Sequence, residues 1–405
     1  MSRKKTSLFR DDEAPLRESF GETSFPNGCG SVSSMSLVGT RRDRRLRVRG
    51  RCPNRPGVYG FVNRSGVLVY VGMSRNLRHR LLTYFSSASR RGKEVRIAGQ
   101  SGQLLWQETV HPIIARVREL ELIRRFRPDY NVEGHPWRMR EAYVVLVANE
   151  AAWFRLEKEP PAKSLGMWGP IPMNRRTIAA VKELNLHFRL RDCPTSTQMH
   201  FSDQTDLFPN AAANGCLRAE TQSCLAPCIG CCSQKEYNKS LRAARQFLDG
   251  RPNSVLEDVH EQMRAASREL RFEKATRLRD VAQSLERLDG HLRKFHDWMA
   301  ESTFVLPSIV GDAQEKNGSE HWLIVVRGAI QQVITAPTDA QQKSQALELL
   351  QQVSTAADSL ALPQNFNHFQ VARVVRAWFR KYPETQKKCW TLRQAIARCR
   401  RRRVA

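Results

Sequence analysis

Long apolar runs are missing from this sequence of 405 residues, and their absence narrows the class of protein. No stretch of about 18 consecutive apolar residues occurs, so the sequence predicts no membrane-spanning helix. The N-terminus, Met1-Ser-Arg-Lys-Lys, is charged and lacks the apolar segment of a secretory signal. We therefore expect a cytoplasmic protein with no membrane partner. No internal repeat is found, which argues against a repeat architecture.

Acidic residues are also scarce relative to basic ones. The chain has 66 Lys and Arg against 40 Asp and Glu, a formal net charge of +26. Such an excess of positive charge predicts a polyanionic partner, most often nucleic acid. Composition leaves one alternative open, which is a basic surface of the ribosomal-protein kind or one that only aids solubility.

Composition and periodicity divide the chain into five parts, and the fold class they predict is α+β. Residues 1–52 are rich in Ser, Gly and Arg and predict a disordered basic arm. Residues 53–150 mix short β-branched runs with amphipathic helices and predict a small α+β domain with a mixed sheet. Residues 151–250 are cysteine-rich, and residues 251–292 have the spacing of two antiparallel helices. Residues 293–405 predict a small α/β region that ends in a basic tail.

The α+β domain begins with a predicted β-hairpin. Two short runs, 57–62 and 67–71, are separated by the turn-forming segment Asn63-Arg-Ser-Gly66. Helical spacing follows over 75–85 and again over 113–126, where Arg127-Pro128 predicts the end of the helix.

Two tripeptides in this hairpin and four later residues form a pattern. They are Gly57-Val58-Tyr59, Tyr70-Val71-Gly72, Arg80, Tyr84, Glu119 and Asn131. In this order and spacing they resemble the GIY-YIG nucleases, and in particular the N-terminal half of the UvrC subunit of bacterial nucleotide excision repair.

The resemblance implies a phosphodiester-cleaving site with one divalent metal ion. Glu119 is expected to hold Mg²⁺ or Mn²⁺, which keeps most of its water ligands. Arg80 is expected to bind the non-bridging phosphate oxygens as negative charge builds on them. Tyr70 is the expected base for the attacking water, with Tyr59 positioning that water; the sequence leaves the order of the two open.

Other residues would support the same site. Tyr84 and Asn131 are expected to orient the phosphate and the site, and Arg75 and Arg78 to contact DNA. The alternatives are that the tyrosines are ordinary strand aromatics, that Arg80 is a simple phosphate contact, and that Glu119 is a solvated carboxylate with Glu121 as its rival.

One position departs from the UvrC pattern. A lysine usually follows the second tripeptide directly, and here that residue is Met73. Methionine carries no charge and cannot bind phosphate as a cation. Arg75 and His79, which follow within the next turn, are the nearest cations in sequence that could compensate.

The cysteine-rich segment resembles the one that follows the nuclease domain in UvrC. It contains six of the ten cysteines, and the matching four are Cys193, Cys216, Cys224 and Cys228. In a reducing compartment, thiols at such spacings predict a metal site more often than disulfides. Four thiolates suit Zn²⁺ or a [4Fe–4S] cluster by count, and the resemblance favours iron–sulfur. Cys231 and Cys232 are possible substitutes for the first ligand.

The two antiparallel helices resemble the UVR motif, through which UvrC pairs with its helicase partner, UvrB. The residues that carry this resemblance, and the expected partner contacts, are Met263, Leu270, Phe272, Ala275 and Leu278. A two-helix hairpin cannot bury both apolar faces alone. The apolar face must therefore pack either on the helicase or on other parts of this chain.

The RNase H-like second nuclease and the helix-hairpin-helix motifs of a full UvrC are not found in the sequence. The resemblance thus implies a truncated, Cho-like endonuclease that makes one cut in damaged double-stranded DNA, the 3′ one in the family. The alternative is an adaptor that binds DNA and the helicase without cutting. A stand-alone nuclease is disfavoured by the UVR-like hairpin.

Overall fold

The computed structural model forms two compact units. The described residues are 16–86, 92–131, 140–161, 163–204, 215–251, 255–310, 319–357 and 365–400. The first unit comprises 1–138, 302–360 and 371–405, and the second comprises 139–301 and 361–370. Within the described ranges, none of the helices combines the length with the apolar character that a bilayer crossing requires.

The first unit begins with a four-stranded sheet and its helices. In chain order the elements are α1 (Leu16–Gly21), β1 (Cys29–Ser36), α2 (Arg41–Arg51), β2 (Gly57–Asn63), β3 (Leu68–Ser74), α3 (Leu77–Tyr84), α4 (Lys93–Gln100), β4 (Ser101–Thr109) and α5 (Pro112–Phe126). The strand order is β1-β4-β2-β3, and every neighbouring pair is antiparallel. The predicted mixed sheet is therefore wrong, although the predicted hairpin β2–β3 is confirmed.

Local side-chain chemistry fixes the β2–β3 turn. The Asn63 side-chain oxygen accepts hydrogen bonds from the amides of Ser65 and Val67, each at 2.9 Å. Gly66 has a φ of 78°, a conformation that glycine adopts without strain. The helix α5 ends as predicted, because Arg127 takes the left-handed conformation directly before Pro128.

The sheet separates two apolar layers. Successive residues of a strand point to opposite faces, and here Tyr59 and Phe61 pack in one cluster with α3 and α4. Val58 and Val71 pack in a second cluster with the apolar residues of α5. Residues of α3 and of α5 thus approach the β2–β3 pair from opposite faces.

Residues 16–52 are folded, which corrects the prediction of a disordered arm over 1–52. The strand β1 pairs with β4, and its Val32 and Met35 are buried. The arginine-rich segment is the helix α2, which starts with a capping box between Thr40 and Asp43. Pairing with β4 stabilises a serine-rich segment whose own sequence has little β-propensity. Residues 1–15 lie outside the described residues.

In the described residues of 140–301, the second unit has a three-stranded antiparallel sheet and five α-helices. The elements are β5 (Glu141–Val147), β6 (Phe154–Glu157), β7 (Ser164–Pro172), α6 (Arg175–His187), α7 (Leu217–Glu220), α8 (Gln234–Leu248), α9 (Val255–Arg268) and α10 (Phe272–Glu301). Its strand order is β6-β5-β7. The strand β5, predicted to belong to the domain 53–150, is thus the centre of a different sheet. Its apolar run 142–146 is fully buried and needs a strand on each side.

The helices α9 and α10 form the predicted hairpin. Its base is part of the core of the second unit through buried residues such as Val259, Val281 and Leu285. At its tip, Leu270 is 71% exposed and Phe272 is 63% exposed. The base of the hairpin therefore packs on this chain, and packing of the exposed tip on a helicase stays a prediction.

The C-terminal region has three strands followed by three helices. They are β8 (Phe304–Val310), β9 (Ser319–Val326), β10 (Ala329–Thr335), α11 (Ala340–Ala357), α12 (Phe366–Lys381) and α13 (Leu392–Arg400). The strand order is β10-β9-β8 and all pairs are antiparallel, so the region is α+β and not the predicted α/β. A tight turn at Arg327-Gly328, both with positive φ, joins β9 directly to β10 and leaves no crossover helix.

Candidate active site

The two glycines of the tripeptides lie where no side chain fits. A Cβ on Gly57 would come within 2.4 Å of the Gln107 carbonyl oxygen in β4. A Cβ on Gly72 would come within 2.5 Å of the Tyr59 hydroxyl oxygen. Gly72 therefore makes room for the Tyr59 ring to lie across β3, which ties the second tripeptide to the first.

Tyr59 is the centre of a cluster of polar groups. Its hydroxyl group lies 3.0 Å from the Tyr84 hydroxyl and accepts a hydrogen bond of 3.3 Å from Nε of Arg80. The Tyr70 ring completes the cluster, with its centroid 6.2 Å from that of Tyr59 and 6.4 Å from that of Tyr84. The structure thus brings together four of the predicted site residues.

Burial distinguishes the three tyrosines. Tyr59 and Tyr84 are almost completely buried, and this burial raises the pKa of both phenols above the ordinary value. Both therefore keep their protons at neutral pH, and either hydroxyl can donate the hydrogen bond between them. Tyr70 is only partly buried and lies at the rim of the cluster.

The helix α3 presents Arg80 and Tyr84 on the face that meets the sheet. The Asn76 side chain caps its N-terminus through a 2.9 Å bond from the His79 amide. Arg78, predicted to contact DNA, donates from Nε to the Cys52 carbonyl oxygen at 2.6 Å. That bond ties α3 to the end of α2 and gives Arg78 a structural contact.

Arg75, the other predicted DNA contact, has aromatic neighbours. Its guanidinium carbon lies 3.9 Å from the ring centroid of Tyr382 and 5.2 Å from that of Trp378. This cation–π arrangement joins the start of α3 to the C-terminal part of the same unit. Arg75 therefore does not compensate for Met73 at the tyrosine cluster.

The first turn of α4 also meets the cluster, and the sequence motifs did not point to it. The Lys93 ammonium nitrogen lies 5.1 Å from the Tyr70 ring centroid. The next residue, Glu94, forms an ion pair of 3.7 Å with Arg80. No signal within 93–94 marks this turn, because its role depends on packing between α4 and the β2–β3 hairpin.

The two carboxylates of α5 differ in their surroundings. Glu121 forms an ion pair with Arg118, which is buried and also donates to the Phe20 carbonyl oxygen at 2.8 Å. Glu121 therefore neutralises a buried arginine and has a structural contact in the domain. Glu119 is paired with Arg116, whose side chain is 45% exposed.

Glu119 fits a single hard cation. Its carboxylate is mostly buried and already has a positive group against it, the guanidinium of Arg116. Mg²⁺ bound by one carboxylate completes its coordination with water and substrate oxygens. Among the described residues, no group of three or more His, Cys, Asp or Glu side chains is arranged to hold a metal ion. A one-carboxylate site does not require such a group.

Asn131 acts on the sheet edge. Its side-chain oxygen accepts from the Val71 amide at 2.8 Å, and its side-chain nitrogen donates to the Val71 carbonyl oxygen at 2.7 Å. Because β3 is the edge strand of the sheet, these backbone groups have no strand partner there. Asn131 thus fixes the middle of the second tripeptide.

The four predicted cysteine ligands are near one another in the second unit. Burial raises the pKa of the Cys228 thiol, and the charges of Cys216, Cys193 and Cys224 raise it further. The Cys224 sulfur accepts a hydrogen bond of 3.3 Å from the Ala226 amide. The thiols are of the right kind for a metal cluster, although they are not arranged as a closed site. The segment 205–214, between Cys193 and Cys216, lies outside the described residues.

Comparison with known proteins agrees with this organisation. Residues 55–132 match the UvrC-like GIY-YIG domain, 143–247 the UvrC/Cho excinuclease middle domain, and 253–288 the UvrB/uvrC motif. UvrABC system protein C of Alkalilimnicola ehrlichii is 32% identical over 239 residues, which cover 57% of this chain and 36% of that protein. The protein of the same name from Syntrophomonas wolfei is 30% identical over 244 residues, which cover 59% and 38%.

The chain thus spans little more than a third of the curated relatives it matches. Among solved structures, the GIY-YIG N-terminal endonuclease domain of UvrC from Thermotoga maritima, bound to magnesium, is 31% identical. The match covers 23% of this chain and all of that one, with a TM-score of 0.21. The resemblance to UvrC-like proteins is confirmed by the three domains, which occur here one after another.

Proposed function

We propose that this UvrC-like chain is a metal-dependent endonuclease that incises damaged double-stranded DNA during nucleotide excision repair. The observation that carries the proposal is the cluster in which Tyr59, Tyr84 and Arg80 are hydrogen-bonded beside Tyr70. The match to the UvrC-like GIY-YIG domain supports the same reaction class. The excess of positive charge fits a DNA substrate.

Each residue of the cluster has a part in the proposed cleavage. Arg80 binds the phosphate oxygens and offsets the charge that develops on them. Tyr59 and Tyr84 stay protonated and hold the attacking water by hydrogen bonds. Tyr70, less buried, acts as the phenolate, accepts the proton of that water and becomes the neutral phenol. Glu119 would hold Mg²⁺ or Mn²⁺, and the bound ion would supply Lewis-acid chemistry.

The test is cleavage of a lesion-bearing or pre-nicked duplex with the helicase partner and Mg²⁺. The Glu119→Ala variant should lose cleavage by roughly 100-fold or more, since the metal ligand is gone. Glu18→Ala, an exposed carboxylate on α1 of the same unit, should cut like the unmodified protein. Labelling each DNA end maps the cut, which we place on the 3′ side of the lesion by analogy with the family. Equal cleavage by the unmodified protein and Glu119→Ala would rule out the proposed metal site.

A non-cutting adaptor is the second candidate, and Met73 is the observation that favours it. An adaptor would bind DNA and the helicase with ordinary affinity and leave the duplex intact at any Mg²⁺ concentration. Binding without cleavage by the unmodified protein would therefore support the adaptor.

The helical hairpin is the proposed docking site for a UvrB-type helicase. Its tip carries two exposed apolar side chains, Leu270 and Phe272, with Met263, Ala275 and Leu278 partly exposed beside them. Replacing Leu270 and Phe272 by Ser should weaken helicase binding at least tenfold, because such apolar anchors dominate small interfaces. The melting temperature should stay unchanged, since the tip makes little contact with the core. Unaltered binding by calorimetry would exclude the tip as the docking site.

The four cysteines are the proposed ligands of a [4Fe–4S] cluster, with Zn²⁺ as the alternative. Cys193, Cys216, Cys224 and Cys228 are within electrostatic reach of one another. Anaerobically purified protein should absorb near 400 nm with about four iron atoms per chain if the cluster is present. Zinc without iron in the same preparation would favour the alternative, and neither metal would contradict both.

A further inference from the structure

The first turn of α4 lies outside the sequence motifs of the first unit but contacts the tyrosine cluster. This turn places Lys93 against the Tyr70 ring and Glu94 against Arg80, so it meets two of the proposed site residues at once. Apolar packing of the following turn of α4 holds the first turn in place. Ile97 and Ala98, one turn later, are buried in the same apolar cluster as Tyr59 and Tyr84.

We propose that Lys93 is a positioning residue of the incision reaction, whose ammonium group stabilises the phenolate form of Tyr70 that accepts the proton of the attacking water. The inference rests on the proposed function. A cation on the face of an aromatic ring is attracted to the ring and attracts it more strongly once the ring is anionic. The contact also limits the directions in which Tyr70, at the rim of the cluster, can turn.

Lys93 lies directly against the Tyr70 ring, whereas the neighbouring cations have other contacts. Met73, which follows the second tripeptide, is neutral, and Arg75 lies on Tyr382 and Trp378. Arg80 shares its charge with Glu94 and donates to Tyr59. By strand alternation Met73 points to the face of Val71 and α5, away from the face that Tyr59 and Tyr70 share. Lys93 of α4 therefore places its charge on the face of the β2–β3 hairpin that carries Tyr59 and Tyr70, opposite to the face of Met73.

The first test is kinetic. Steady-state cleavage by Lys93→Met should have kcat lowered by roughly 10- to 100-fold with KM for the duplex changed by no more than about twofold, since the contact assists the base and not the binding of DNA. Lys93→Arg, which keeps a cation over the ring, should recover most of the rate. Arg96→Met is the matched control, because Arg96 is exposed on the same helix. A rise in KM at constant kcat would identify Lys93 as a phosphate contact instead and overturn the proposal.

The second test does not depend on cleavage and so separates this inference from the proposed function. Tetranitromethane modifies the phenolate form of tyrosine, and peptide mass spectrometry reports the rate at each residue. Tyr70 should be nitrated roughly 3- to 10-fold more slowly in Lys93→Met than in the unmodified protein or Arg96→Met. Tyr130 serves as the internal reference. Equal rates at Tyr70 would refute the role of Lys93, whether or not the protein cuts DNA. If the rates differ and the unmodified protein still does not cut, the proposed function fails and the contact stands.

Discussion

His111 should make the stability of the first unit depend on pH. The His111 ring caps α5, because its Nδ1 accepts a 3.1 Å hydrogen bond from the Ile113 amide. The ring also packs edge-on against Trp378, with centroids 5.4 Å apart. Burial lowers the pKa of His111 to about 4, and the positive charges of Arg75 and Lys388 act in the same direction. Protonation of Nδ1 would break the hydrogen bond from the Ile113 amide. It would also add a positive charge near those of Arg75 and Lys388.

The sign and size of the effect follow from linkage. The folded pKa lies below the ordinary value of 6.5, so the unfolded chain binds the proton first as pH falls. The stabilisation is complete above about pH 6.5 and is lost towards about pH 4. Between about pH 7.5 and about pH 5.0 this one residue should lower the free energy of unfolding by about 2 kcal/mol.

Urea unfolding of the unmodified protein and of His111→Asn measures this contribution. Asparagine can cap the helix but does not titrate, so the fall in stability between the two pH values should be smaller in the variant by about 2 kcal/mol. Other titrating groups are common to both proteins and cancel in the comparison. NMR titration of the histidine signal that His111→Asn removes gives the pKa directly. Parallel stability curves, or a signal that titrates near 6.5, would refute the reasoning.

Three further substitutions, with one control, test the packing around the two sites. Gly72→Ala should reduce cleavage at least tenfold and destabilise the protein by roughly 1–3 kcal/mol, because its Cβ would displace Tyr59. Gly50→Ala, in open space on α2, should instead be neutral or slightly stabilising by thermal melting. Asn131→Ala should cost roughly 2–3 kcal/mol and speed amide exchange at the edge of β3. Tyr237→Phe in the second unit should cost roughly 1–3 kcal/mol in urea unfolding, because two buried backbone groups lose their hydroxyl partner.

The parts of the fold that the sequence predicted correctly are those set by local chemistry. The turn at Asn63–Gly66 and the end of α5 at Arg127 depend on residues within one turn of each other. The sequence predicts such features because these residues form hydrogen bonds or backbone conformations that depend only on their neighbours in the chain.

The parts that the sequence did not predict depend on distant partners. The strand β1 is serine-rich and becomes a strand by pairing with β4, where Ser34 lies opposite Leu105, 71 positions later in the chain. Arg78 donates to Cys52, a structural contact that the sequence did not indicate, and its contact with DNA stays a prediction. The location of Arg75 under Tyr382 depends on a region more than 300 positions later. Arginine composition alone cannot separate these structural uses from contacts with phosphate.

The two tripeptides also have a structural use, which limits what they indicate about DNA cleavage. Gly57 and Gly72 are required because the backbone and the Tyr59 ring leave no room for a Cβ, and that requirement holds whether or not the protein cleaves DNA. A match to the tripeptides therefore indicates that the ring of Tyr59, in β2, packs across Gly72 of β3. The residues proposed to supply the charge for cleavage, Glu119 on α5 and Lys93 on α4, lie outside the tripeptides. The variants that separate an endonuclease from an adaptor are thus those of Glu119 and Lys93, which change charge at the site and leave the tripeptides intact.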